Sequence, residues 1–230
     1  MRDLPGSVML FAAGFGARMR PLTDDRPKPL VDVAGRPLID HALDQITGIP
    51  PERIVANLHY RPDQLARHLA ERGVQTVLEH PEILDTGGGL RNALPQLGAG
   101  PVFTLNTDTI WKGPSPLDVL RAAWQPDIMD ALLICVPLAQ THAYAGQGDF
   151  VLDAENRLGR GAGHVYGGAQ IIRTDRLAEI PEAAFSLNRI WDLMHAEGRL
   201  FGVRYPGRWC DVGHPAGIAA AEALLADPHV

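Results

Sequence analysis

Residues 8–12 form a short apolar run that stops at Gly14, the profile of a buried strand feeding a tight loop rather than of an amphipathic helix. Apolar positions then recur at helical spacing over 38–46, and 53–57 reads as a second strand. A helix is expected over 62–72, with Pro62 near its start, where a missing N–H leaves no bond unmade, and a strand over 74–78. Past the glycine cluster at 87–89 the pattern predicts a helix over 90–97, a buried strand over 102–106, a helix over 117–124 and a strand over 131–136. Such alternation implies βαβ units and a mainly parallel sheet. The later chain is more mixed: strand-like runs at 150–152 and 169–172, a helix near 188–197, a strand over 200–205 and a closing helix over 215–225. The expectation is one α/β domain over 1–230, a Rossmann-like α/β/α sandwich around a mainly parallel, mixed central sheet.

Composition narrows what such a domain does. With 46% hydrophobic residues, 230 residues can bury a substantial core. A formal charge of −6 argues against coating nucleic acid, which needs a broad basic surface, so an anionic ligand would require a local basic pocket. No apolar run is long enough to cross a bilayer, and the start of the chain lacks the features of a signal peptide. A cytoplasmic monomer or small homo-oligomer without nucleic-acid or membrane partners is therefore expected. Cys135 and Cys210 are too few for a disulfide framework or a cysteine-built zinc site. The basic residues are strongly skewed to arginine, with lysine only at Lys28 and Lys112.

The loop after the first strand carries the first chemistry. Gly14 and Gly16 let backbone N–H groups face phosphate oxygens with no Cβ in the way, although a tight strand-to-helix turn would use glycines equally well. A dinucleotide fingerprint would need glycine where Met19 stands, and a Walker A loop would need Gly-Lys-Ser/Thr, which does not occur. Arg18 is placed to fold back over the loop. Prolines on both sides of Lys28 hold the local backbone extended and confine a flexible ammonium, which lowers the entropy lost on meeting a phosphate.

Ala12-Ala13-Gly14-x-Gly16-x-Arg18-Met19, then Pro27-Lys28-Pro29-Leu30 and Gly35-Arg36-Pro37-Leu38-Ile39, resemble the signature of the sugar-phosphate nucleotidyltransferases. The resemblance implies that residues 12–19 grip a nucleoside triphosphate, with Ala12, Ala13, Gly14, Gly16, Arg18 and Met19 at the nucleotide. It further implies that Arg18 holds the departing phosphates and that Lys28 neutralises charge around the α-phosphate.

Asp108 follows the buried run at 102–106, at the C-terminal end of a parallel strand, where open α/β sheets collect ligands. Asp211 lies just before the last helix. Magnesium takes one or two carboxylates plus phosphate oxygens, which makes this pair its candidate ligands; loop capping at Asp108 and helix capping near Asp211 are the structural alternatives. The resemblance extends to both: Leu105-Asn106-Thr107-Asp108 is similar to the family's metal-aspartate segment and Trp209-x-Asp211-Val212-Gly213 to its second, with Thr107 and His214 departing from the common residues. Because a sugar phosphate oxygen is already ionised near neutral pH, no general base or covalent intermediate is needed.

Leu84-Asp85-Thr86-Gly87-Gly88-Gly89 lies between a strand and a helix, where backbone amides could approach a flat base and where Asp85 or Thr86 could equally cap the helix. By resemblance Thr86, Gly87 and Gly88 line the nucleoside. Asn57, ending the second strand, suits either a base edge or loop backbone. The triple glycine and Gly148-Asp149-Phe150 are most similar to the N-acetylmuramic acid 1-phosphate uridylyltransferases, which implies UTP as donor and Asn106 and Asp149 at the sugar. Mannose 1-phosphate guanylyltransferases and glucose 1-phosphate thymidylyltransferases share the first motifs. A nonenzymatic nucleotide-sugar sensor would be expected to have lost Lys28, Asp108 or Asp211. His41, His68, His142, His164 and His195 show no metal-ligand spacing, and Trp111, Trp124 and Trp191 read as core anchors.

Overall fold

A computed structural model of the chain describes residues 4–46, 48 and 51–228. Strand β1 (Ser7–Phe11) leads into the glycine loop, which contains 3-10 turns at Ala17–Met19 and Lys28–Leu30. A small hairpin, β2 (Asp32–Val33) and β3 (Arg36–Pro37), precedes α1 (Leu38–Asp44). Then come β4 (Arg53–Leu58), α2 (Pro62–Ala70), β5 (Gln75–Leu78), α3 (Asp85–Leu97) and β6 (Val102–Asn106). Strand β1 pairs in parallel with β4 and β6, and β4 with β5, because each connection returns through a helix.

The remaining elements are β7 (Thr109–Lys112), α4 (Pro116–Ala123), β8 (Ala131–Pro137), β9 (Thr141–His142), β10 (Phe150–Leu152), β11 (Leu158–Arg160), β12 (His164–Ile172), α5 (Asn188–Ala196), β13 (Leu200–Arg204), β14 (Arg208–Asp211) and α6 (Pro215–Ala226). Strand β12 runs antiparallel to both β6 and β8, and β13 is parallel to β8, completing a nine-stranded sheet. Following the pair directions, β5, β4, β1, β6, β8, β13 and β10 point one way, and only β12 and β11 oppose them. The sheet is thus mixed and mostly parallel, as the alternation implies.

Side-chain alternation along β1 sorts the core into two layers. Val8 and Leu10 face the cluster packed by α1, α2 and α4, with Ile39, Leu65, Leu69, Leu117, Leu120 and Trp124. Met9 faces the opposite cluster under α3 and α5, with Leu90, Ala93, Ile190, Trp191 and Met194. Trp111, Trp124 and Trp191 are all buried. A third cluster lies under α6, where Ile110, Cys210, Val212, Ala221 and Leu224 close around a small sheet ordered β7-β14-β9. The sequence pattern does not predict that sheet, and it carries Asp211. No helix among the described residues is long and apolar enough to cross a membrane.

Candidate active site

In register, Phe11 at the end of β1 stands opposite both Asn57 of β4 and Asn106 of β6. The C-terminal ends of three adjacent parallel strands therefore share one edge, the place where the strand ends leave a crevice in an open α/β sheet. A cavity of about 280 Å³ opens there, lined by Phe11, Ala13, Gly14, Asn57, Glu79, Ile83, Asp85, Thr86, Asn106 and Asp108. A larger hollow of about 480 Å³ beside α1 has Arg36, Asp40, Asp44 and Arg72 in its wall. Its charges are already matched, Arg36 with Asp44 and Arg72 with Asp40, so we place the chemistry at the strand ends.

One end of the crevice gathers the charged residues. Lys28, only 12% exposed, brings Nζ to 2.7 Å from Asp108 Oδ2. Asp211 arrives from the small sheet: β14 pairs antiparallel with β7 so that Asp211 faces Thr109, and the Val212 N–H donates to the Asp108 carbonyl at 3.0 Å. Burial, and then the nearby Asp108 carboxylate, hold the Asp211 carboxyl above its ordinary range, and Lys28, Arg18 and His214 act in the other direction. Gly213 leaves the necessary space, since a Cβ there would sit 2.9 Å from Asp211 Oδ1 and 3.3 Å from Arg18 Nη2. Arg18 itself is exposed and has no hydrogen-bond partner among the described residues. Two acids distant in the chain and two cations thus meet at one point.

Among the described residues no cluster of three or more His, Cys, Asp or Glu side chains forms a complete metal cage. Two carboxylates in mutual repulsion beside an open cavity are nevertheless the donor set that suits magnesium, which completes its shell with phosphate oxygens and water.

Several residues stand differently from the sequence expectation. Met19 is fully buried in the cluster under α6, and its N–H donates to the Gly16 carbonyl, so it supports the loop from beneath and does not face a nucleotide. The Ala12 N–H donates to Asn57 Oδ1 at 2.8 Å, which leaves Ala13 and Gly14 as the loop residues in the cavity wall. Asn57 resolves to the backbone-holding alternative, with its Nδ2 donating to Glu79 Oε1 at 2.7 Å. Helix α3 begins at Asp85, ahead of the glycines, and both Gly87 and Gly88 donate their N–H to the Phe185 carbonyl. Their amides are therefore not available to a base. A Cβ at Gly87 would come 2.3 Å from the Phe185 ring, so this glycine serves close packing. Thr86 lines the cavity while its Oγ1 accepts from the Leu187 N–H. Gly16 adopts a left-handed φ of +63°, and its carbonyl accepts from Thr23 Oγ1.

Asn106, also in the cavity wall, packs against Gly168, whose φ of +88° lies in the irregular stretch of β12 between Tyr166 and Gln170. Asp149 is exposed and outside the cavity wall, with Oδ2 accepting from the Tyr166 N–H at 2.9 Å. Burial first, then the Asp149 carboxylate, raise the Tyr144 phenol above its usual value; a backbone bond at Gly148 acts the other way, and Asp211 adds a smaller upward push. Neither Glu79 nor Tyr144 belongs to a motif in the sequence. The only signal for Glu79 is its position directly after a parallel strand.

A family model for the MobA-like NTP transferase domain matches residues 8–224. The N-acetylmuramate alpha-1-phosphate uridylyltransferase of Caulobacter vibrioides is 39% identical, covering 99% of this chain and 100% of that one. The enzyme of the same name from Neisseria meningitidis is 32% identical over 94% of this chain and 97% of its own. Among solved structures, HddC from Yersinia pseudotuberculosis complexed with GMP-PN superposes with a TM-score of 0.75 at 20% identity, covering 97% and 99% of the two chains. A Bacillus anthracis structure gives a TM-score of 0.78 at 17% identity, covering 97% and 96%.

Proposed function

The chain belongs to the nucleotidyltransferases with a MobA-like NTP transferase domain, and from that premise we propose that it transfers the uridylyl group of UTP to N-acetylmuramic acid 1-phosphate, releasing pyrophosphate. The observation that carries the reading is the meeting of Lys28, Arg18, Asp108 and Asp211 at one end of the crevice. The near full-length likeness to two uridylyltransferases supplies the substrates.

In this reaction a phosphate oxygen of the sugar 1-phosphate bonds to the α-phosphorus as the bond to the pyrophosphate oxygen breaks. The work of the protein is alignment and charge neutralisation, because the attacking oxygen is already ionised. Backbone amides at Ala13 and Gly14 and the free guanidinium of Arg18 hold the β- and γ-phosphates. Lys28, confined by its prolines, offsets negative charge at the α-phosphate. Asp108 and Asp211 would hold Mg²⁺, which when bound supplies Lewis-acid neutralisation of the phosphate oxygens. Asn106 and Asp149 would orient the sugar. A cytoplasmic place in the recycling of cell-wall sugars fits these substrates.

The test is pyrophosphate release measured for each of the four nucleoside triphosphates against muramic, mannose and glucose 1-phosphates, with and without magnesium. The fastest release is expected with UTP and N-acetylmuramic acid 1-phosphate. Preference for GTP with mannose 1-phosphate would replace the substrate assignment, and no release from any pair would overturn the enzymatic reading.

A further inference from the structure

We propose that Glu79 is a positioning residue that sets the separation between the two walls of the nucleotide cavity, through the Asn57 amide on one side and the Leu84 backbone on the other. The inference rests on the reading that this cavity takes a nucleoside triphosphate.

Glu79 directly follows β5 and is 1% exposed, yet no lysine, arginine or histidine side chain forms an ion pair with it among the described residues. Its backbone is held by donation to the Leu58 carbonyl at 2.8 Å and by the His59 ring at 2.9 Å from its own carbonyl. The carboxylate then splits its two oxygens. Oε1 accepts from Asn57 Nδ2 at 2.7 Å, and Oε2 accepts from the Leu84 N–H at 2.7 Å. An ionised carboxylate only accepts hydrogen bonds, so the donor end of the Asn57 amide must face it, which turns Oδ1 toward the Ala12 N–H. One side chain thereby dictates the polarity of a relay from Ala12 to Leu84.

The ends of the relay are the two cavity walls. Ala12 precedes Ala13 and Gly14, and Leu84 precedes Asp85 and Thr86, and these neighbours line the same space. The third glycine of the cluster belongs to this arrangement too. A Cβ at Gly89 would lie 2.5 Å from Glu79 Oε1 and 2.8 Å from Asn57 Nδ2, so α3 can sit against the relay only with hydrogen at that position. A buried carboxylate lacking a countercharge is costly unless its oxygens are bonded, and bonds to an ionised acceptor are the strong kind. Near a polyanionic ligand the same charge is a liability, which a positioning role explains and simple packing does not.

The relay makes a specific demand on substitutions. Glu79→Gln keeps the shape but offers one acceptor to two donors, so one donor must face an N–H. Combining it with Asn57→Asp reverses the polarity: the introduced carboxylate accepts from the Ala12 N–H and from the introduced amide, whose oxygen accepts from the Leu84 N–H. UTP binding by calorimetry and steady-state KM values for both substrates are measured on the wild-type chain, Glu79→Gln and the double variant. Glu79→Gln is expected to weaken UTP binding about tenfold or more, the scale of a lost bond to a charged group, while the KM for the sugar phosphate stays unchanged. The double variant is expected to return UTP affinity to within about threefold of wild type. Wild-type affinity in Glu79→Gln, equal damage to both substrates, or a double variant that stays weak or fails to fold would each overturn the proposal. If Glu79→Gln alone does not fold, the double variant decides by the same criterion. A wild-type chain that binds no nucleoside triphosphate defeats the functional reading itself, whereas normal wild-type binding with an indifferent Glu79→Gln defeats this inference alone.

Discussion

The Lys28 ammonium lies 2.7 Å from Asp108 Oδ2, although one residue comes from a proline-framed turn and the other follows the end of β6. The pair is part-buried, and Asp211 stands beside it with its carboxyl raised partly by Asp108. Removing the cation leaves two acids facing the proposed triphosphate site. Lys28→Met is therefore expected to lower kcat/KM for pyrophosphate release by about two to three orders of magnitude. Lys28→Arg should recover little, because a planar fork replaces a compact point charge. Rates within about threefold of wild type in Lys28→Met, with the fold confirmed by circular dichroism, would remove Lys28 from the reaction.

The two acids make a second expectation. With Asp108 and Asp211 as the protein's share of a magnesium shell, chelation should abolish turnover and added Mg²⁺ should restore it. Asp211→Asn should raise the Mg²⁺ concentration for half-maximal rate by about tenfold or more. An unchanged metal dependence in that variant would assign Asp211 to a structural role at the start of α6.

Gly16 links backbone conformation to the same site. Its φ of +63° disfavours any side chain, and a Cβ would meet Lys28 Cβ at 2.9 Å and Thr23 Cγ2 at 3.0 Å. Gly16→Ala is expected to lower stability by about 1–3 kcal/mol in denaturant unfolding. Because the clash pushes directly on Lys28, turnover of the folded protein should fall as well. A variant with reduced stability but unaltered kcat would show that Lys28 tolerates the shift.

Much of this arrangement is legible in the chain because the relevant signals are local. The run of β1 is apolar from Val8 to Phe11 and that of β6 is interrupted only by the buried Thr104, as suits strands buried on both faces, and the residues following them inherit positions at the sheet edge. Strands β7 and β14 leave little trace because each has four residues, and their pairing depends on contacts remote in sequence. The pattern starts α3 too late because glycine is a poor helix former. Tertiary packing against Phe185 outweighs that propensity at Gly87 and Gly88. Glu79 has no spacing partner in the sequence, since its meaning lies in Asn57 and Leu84 reaching it from opposite sides.

The two cysteines should be inert in the folded chain. Burial pushes both the Cys135 and Cys210 thiols up to about 12, so neither holds an appreciable thiolate fraction near neutral pH. Ellman's reagent is expected to find no fast-reacting thiol below about pH 9 in native buffer, and two after denaturation. Rapid labelling of the native protein would indicate local opening near β8 or β14.

Lys112 offers the control for Lys28. The ammonium of this second lysine, on β7, donates to the carbonyls of Leu224 and Leu225 at 3.1 Å and to that of Asp227, the orphan acceptors at the C-terminal end of α6. A cation there also complements the negative end of the helix dipole. Lys112→Met is expected to cost about 1–2 kcal/mol of stability, read from denaturant unfolding, with kcat and both KM values unchanged. In a chain that otherwise uses arginine, one lysine would then serve the phosphates and the other a helix end. A large fall in kcat for Lys112→Met, with stability intact, would break that division, because it would mean that α6 transmits the loss to Asp211 through β14.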